Sequence, residues 1–133
     1  YTPTIHLKIR SDGGSLFEGL AILDRMRTIK SKIYTYVEGG AASAATLISV
    51  AGNKRYIGKN SLMLIHQLSA GNYGNFQQLE EQQENYRRLM QIIKSVYKQY
   101  TKMPMKTLEE TLKRDLWLTA EECLQYGMVD EII

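Results

Sequence analysis

The sequence has one cysteine, two prolines, two histidines and one tryptophan among 133 residues. The lone Cys123 excludes an internal disulfide and a multi-thiolate metal site. Two histidines far apart in the chain, with that one cysteine, do not make a zinc ligand set. No metal and no bound cofactor is expected. Long hydrophobic runs are also missing. The uncharged stretch of residues 39–53 is rich in Gly, Ala and Ser. Nothing approaches the roughly 18 apolar residues of a membrane span. Residues 1–10 alternate polar and apolar side chains and lack a signal-peptide core. Neither G-x-G-x-x-G nor G-x-x-x-x-G-K-[ST] occurs, which removes the usual phosphate-binding loops. No internal repeat is present, so a solenoid is excluded.

Strong charge of one sign is absent as well. There are 17 Lys/Arg against 14 Asp/Glu, a net charge of +3. The basic residues are scattered apart from Arg25, Arg27, Lys30 and Lys32, and no stacking aromatics stand beside them. Nucleic-acid binding is therefore not expected. What remains is ordinary globular composition, with 44% apolar and 23% charged residues. That predicts one domain spanning 1–133, cytoplasmic by default, with an organelle matrix or the cytoplasm of a phage-infected cell as further compatible settings.

Ile5, Leu7 and Ile9 alternate with His6, Lys8 and Arg10, the pattern of a strand. Ser11-Asp12-Gly13-Gly14 is a turn. Ser15 to Glu18 reads as a capping box opening a helix, whose Leu16, Leu20, Leu23 and Met26 share one face. Ile33–Val37 is a second strand, broken by Gly39-Gly40, and Ala41–Ala51 a small-residue helix. Arg55–Ile57 and Leu62–His66 read as further strands, and residues 69–75 as a loop. A long helix follows over about 76–101, with Pro104 beyond it. Its length exceeds what a compact domain of this size covers, which points to packing against another subunit; a helix along one edge of a monomer is the plainer alternative. Short helices over Lys106–Leu112 and from Thr119 towards Gly127 precede a last strand, Met128–Ile133. Strands alternating with helices predict an α/β fold of stacked βαβ units around a mainly parallel sheet.

Ser43 follows a strand and a tight Gly/Ala segment and opens a helix. A helix N-terminus carries partial positive charge that favours a developing oxyanion. The ordinary role for such a serine is a helix N-cap. His66 lies at the carboxyl end of another strand, where ligands gather in parallel sheets. His6, inside the first strand, is less well placed for acid–base work. A carboxylate to orient the imidazole is available at Asp12, Asp24, Asp115 or Asp130, and spacing does not select among them. Gly13-Gly14 is either a plain turn or a backbone donor site for an anion. Cys123 reads as a buried small hydrophobe.

Four segments in order resemble the proteolytic subunits of the Clp protease family. They are Ser11-Asp12-Gly13-Gly14, Gly39-Gly40-Ala41-Ala42-Ser43, Met63-Leu64-Ile65-His66-Gln67 and Arg114-Asp115. The stretch from Leu118 to Asp130 is similar to the family's ending. The resemblance implies a ClpP/crotonase-like fold and a Ser-His-Asp triad of Ser43, His66 and Asp115. It implies an oxyanion hole from the backbone N–H groups of Gly14 and Ala44. It further implies unfolded protein or peptide substrates and two stacked seven-membered rings. A handle region at about 67–101 would join ring to ring. A separate AAA+ ATPase ring would use the ATP, leaving this chain without a cofactor. The family's N-terminal segment, before the first of these motifs, has no counterpart in the sequence.

Some positions depart from the family pattern. Asp12 and Leu68 stand where the family has proline, Ala44 where Met is common, and Lys113 where an acidic residue is usual. Three alternatives have distinct signatures. A non-catalytic ring subunit would show no activated serine. A signal-peptide-peptidase-like enzyme would pair Ser43 with Lys54 or Lys59. A crotonase-like enzyme would carry an acyl-CoA pocket.

Overall fold

A computed structural model describes residues 2–68 and 71–133. Five strands and five helices run in the order β1 (Ile5–Ser11), α1 (Leu16–Thr28), β2 (Ile33–Ala42), α2 (Ala44–Ser49), β3 (Lys54–Ile57), β4 (Leu62–Leu64), α3 (Phe76–Tyr100), α4 (Met105–Leu112), α5 (Ala120–Gln125) and β5 (Glu131–Ile132). All pairings between these strands are parallel. The α/β architecture read from the sequence is therefore the one observed. The first two residues of the expected 69–75 loop, and of that part of the handle region, lie outside the described residues.

β2 organises the sheet. One edge pairs with β1 along its length; the other pairs first with β3 and then with β4. Ile33, Thr35 and Val37 face inward and are buried, while Tyr34, Tyr36 and Glu38 are half-buried on the outer face. That outer face carries a stack of rings: the Tyr36 and Tyr56 ring centres lie 4.9 Å apart with the rings nearly parallel, and His6 Nδ1 is 2.7 Å from the Tyr36 hydroxyl. The inner face packs on Leu47, Val50, Ile65, Leu108 and Met128, all in one buried cluster. A side chain of about Leu size contributes roughly 1.5–3 kcal/mol when it is fully buried.

Several expectations are corrected. Gly39-Gly40 does not break β2, and Ala41 and Ala42 belong to the strand rather than to the following helix. The reason is pairing: Gly40, Ala41 and Ala42 lie opposite Leu62, Met63 and Leu64. The glycines accommodate a local irregularity, with Gly39 at φ 83° and a register shift against β1 between Ile9 and Ser11. Strand β4 is also shorter than expected and stops at Leu64, so His66 lies two residues beyond its end. The last strand is reduced to Glu131–Ile132.

The helix read over 76–101 is observed at Phe76–Tyr100. Its 25 residues rise about 37 Å. An Asn75/Gln78 capping box starts it. Met90, Ile93, Val96 and Tyr97, in its second half, are buried; Phe76, at its start, is 75% exposed. No helix among the described residues is long and apolar enough to cross a membrane.

Candidate active site

Ser43 joins β2 to α2 at φ 57° and ψ −125°. It is the one non-glycine residue with positive φ among the described residues. Such a conformation costs of the order of 1–3 kcal/mol and persists only when neighbours over-determine it. Here they do. The Ser43 N–H donates to the Leu64 carbonyl at 2.8 Å, and the Ser43 carbonyl accepts from the Thr46 N–H at 3.0 Å and the Thr46 hydroxyl at 2.6 Å. The Ser43 side chain makes no capping hydrogen bond, so it does not perform the ordinary task of a serine at this position.

The Gly13-Gly14 turn lies directly against this elbow. A Cβ on Gly13 would stand 2.8 Å from the Ala42 carbonyl oxygen and 2.9 Å from Ser43 Cβ, and Gly13 itself has φ 105°. Glycine is required here on both counts. A Cβ on Gly14 would meet nothing within 4 Å, so that residue borders open space. A hollow of about 200 Å³ lies beside it, lined by Gly13, Gly14, Glu18, Gly19 and Ala44 among others. Pockets for whole small molecules run to about 300–1,000 Å³, so this one suits a single side chain. A larger hollow of about 420 Å³ follows α3 from Phe76 to Arg87 and shares no lining residue with it.

His66 is half-buried, and its Nδ1 lies 2.7 Å from the Gln67 carbonyl oxygen. A carbonyl only accepts, so Nδ1 donates this bond, and in the neutral ring the lone pair is on Nε2. That is the tautomer a general base needs. Asp115 is exposed in the segment between α4 and α5. This segment is tied to the His66 segment at two points. The Gln67 N–H donates to the Leu112 carbonyl at 2.7 Å, and Met63 and Leu118 exchange two backbone bonds. Asp115 sits midway between the two ties. The structure thus brings Ser43, Gly13, Gly14 and Ala44 together and ties the end of β4, two residues before His66, to this elbow through the Leu64 carbonyl. No hydrogen bond joins the side chains of Ser43, His66 and Asp115 among the described residues.

The other carboxylates are differently employed. Asp130 grips Arg55 with both oxygens, at 2.8 and 3.2 Å, and also accepts from the Arg55 N–H at 2.8 Å. Those bonds hold its carboxyl below the ordinary value of 3.8. Asp24 and Asp12 are exposed. His6 belongs to the aromatic stack on the outer face. Burial pushes the Cys123 thiol up to about 12, which keeps it protonated and inert. No cluster of metal-ligating side chains occurs among the described residues. Sequence reasoning missed Thr46 and Tyr97. Thr46 Oγ1 lies 2.5 Å from the Tyr97 hydroxyl, across 51 positions of chain that leave no local signal.

The family model described as Clp protease matches residues 2–133. The ATP-dependent Clp protease proteolytic subunit of Deinococcus radiodurans is 37% identical over 131 residues, which covers 97% of this chain. The chain spans 64% of that relative's length.

Proposed function

The chain belongs to the Clp protease family, and on that premise we propose that it is a serine endopeptidase subunit cutting unfolded polypeptides inside a closed oligomeric chamber. The observation that carries this reading is the Ser43 elbow: a strained serine with an uncommitted hydroxyl, abutted by a glycine turn. Ser43 Oγ attacks the scissile carbonyl, and His66 Nε2 accepts the proton. The backbone N–H groups of Gly14 and Ala44 receive the oxyanion. Asp115 takes over His66 Nδ1 from the Gln67 carbonyl and stabilises the imidazolium better than a neutral oxygen does. His66 then returns the proton to the leaving amine, and water hydrolyses the acyl-enzyme. Two stacked seven-membered rings, with α3 in the contact between them, account for the exposed Phe76 at its start. An AAA+ ring supplies unfolded chains and consumes the ATP.

The test is labelling with a fluorophosphonate, read by intact mass beside Ser43→Ala. One adduct, lost in Ser43→Ala, is expected. No adduct on the assembled protein, or one that survives the substitution, overturns the reading. The unjoined side chains of Ser43, His66 and Asp115 favour one second reading, a non-catalytic ring subunit, and the absence of an adduct is what it predicts.

A further inference from the structure

Tyr97 is buried in the core, 3% exposed, and its hydroxyl is spent on Thr46, which is fully buried. The direction of this pair follows from counting protons. The Ser43 carbonyl can only accept, so the Thr46 hydroxyl gives it its single proton at 2.6 Å. Thr46 Oγ1 has no proton left for Tyr97, so the Tyr97 hydroxyl is the donor. Burial also raises the Tyr97 hydroxyl well above its ordinary 10, in keeping with a group that stays protonated. The chain therefore runs one way, from Tyr97 on α3 through Thr46 on α2 to the Ser43 carbonyl.

That carbonyl shares a rigid plane with the Ala44 N–H. A trans peptide unit sets its C=O and N–H on opposite sides, so fixing one fixes the direction of the other. A hydrogen bond accepted by the carbonyl also polarises the unit and strengthens the N–H as a donor. We propose that Tyr97 and Thr46 are positioning residues for the oxyanion site: they hold the Ser43–Ala44 peptide so that the Ala44 N–H points at the developing oxyanion. This rests on the reading of Ser43 as the nucleophile. Neither residue touches substrate. Tyr97 acts through Thr46, and Thr46 through the peptide plane.

The experiment measures kcat and KM for a fluorogenic peptide, and the rate of fluorophosphonate labelling, on the native assembly. Thr46→Val removes the hydroxyl and keeps the shape; Tyr97→Phe removes only the phenol oxygen; Thr46→Ser restores the donor. Removing an oxyanion donor outright costs about 10²–10³ in kcat, so misaiming one is expected to cost roughly tenfold or more in Thr46→Val. KM should stay within about twofold, since a ground-state carbonyl barely uses the site. A smaller loss of about threefold to tenfold is expected in Tyr97→Phe, and most of the rate should return in Thr46→Ser. Tyr97→Phe combined with Thr46→Val should be no slower than Thr46→Val alone, because both cut one chain.

A folded Thr46→Val with unchanged kcat overturns the proposal, as does Thr46→Ser as slow as Thr46→Val. If Thr46→Val does not assemble, Tyr97→Phe decides: unchanged kcat overturns it. A wild-type protein whose serine takes no fluorophosphonate overturns the nucleophile reading itself, and the proposal with it. Labelling at full rate in wild type and in both variants overturns only the proposal.

Discussion

The two sides of the proposed site are built differently. The Ser43 side is locked. Its backbone is bonded at the N–H and at the carbonyl, Gly13 fills the space beside it, and the Tyr97–Thr46 pair lies beneath. The Asp115 side is slung between two backbone ties at Leu112 and Leu118, with exposed residues from Lys113 to Trp117 between them. A nucleophile and its oxyanion donors need a fixed geometry that folding alone can supply. A carboxylate that only orients and stabilises an imidazole tolerates a looser mount. The difference implies that substitutions on the first side damage stability and activity together, and those on the second damage activity alone.

The sharpest way to break this contrast is Gly13→Ala. The new methyl would have to displace the Ala42 carbonyl or Ser43 itself, and alanine at φ 105° is strained in any case. Loss of peptidase activity by about 10³-fold or more is expected. A fall in unfolding free energy of about 2 kcal/mol or more should accompany it. Denaturant melts and turnover measured on the same preparation check both. An active, fully stable Gly13→Ala would remove the claim that this side is locked.

Asp115→Ala comes next. Activity should fall by about 10²–10³, less than the roughly 10⁴ seen when an orienting aspartate fixes the wrong tautomer, because the Gln67 carbonyl already selects the right one. The melting temperature should stay within a degree or two, as expected for an exposed site. A large stability loss would show that the segment is held as firmly as the elbow.

The smallest effect concerns pH and lies away from both sides. The Cys123 thiol is raised by burial from an ordinary 9.0 to about 12, so the native state keeps a proton that the unfolded chain gives up first. Its contribution to stability is complete below pH 9 and is lost between 9 and about 12. Tyr97 is raised too and adds to the same alkaline decline. Cys123→Ala should make the alkaline limb of the stability curve shallower without removing it. An unchanged slope would assign the whole decline to Tyr97 and the surface.

The sequence was legible where one residue type answers a local demand. Gly13-Gly14 announced a turn, Thr119 the start of a short helix, and the spacing from Phe76 to Tyr100 a long helix. It was less legible where a partner far along the chain decides. Gly39-Gly40 looks like a strand break until β4 arrives to pair with it. Asp130 was one of four open carboxylates until Arg55, 75 positions away, took both its oxygens. Ser43 was a fair candidate for a helix cap; the backbone angle and the unused hydroxyl distinguish it, and neither is written in the sequence. Choosing Asp115 came from the order of four motifs, not from the spacing of its charge.

Helix α3 behaves as a cantilever. Its last turns are clamped: the Tyr100 carbonyl accepts from Arg55, Lys94 reaches Glu109 at 3.9 Å, and Tyr97 is pinned to Thr46. From Ile93 to Phe76 is 17 residues, about 25 Å of rod, with Met90 buried and Tyr86 partly buried against the core. A tilt of about 5° at the clamp therefore moves Phe76 by roughly 2 Å, by the rise of the helix. Whatever load bears on the free end is delivered, with that mechanical advantage, to the turn that holds Tyr97.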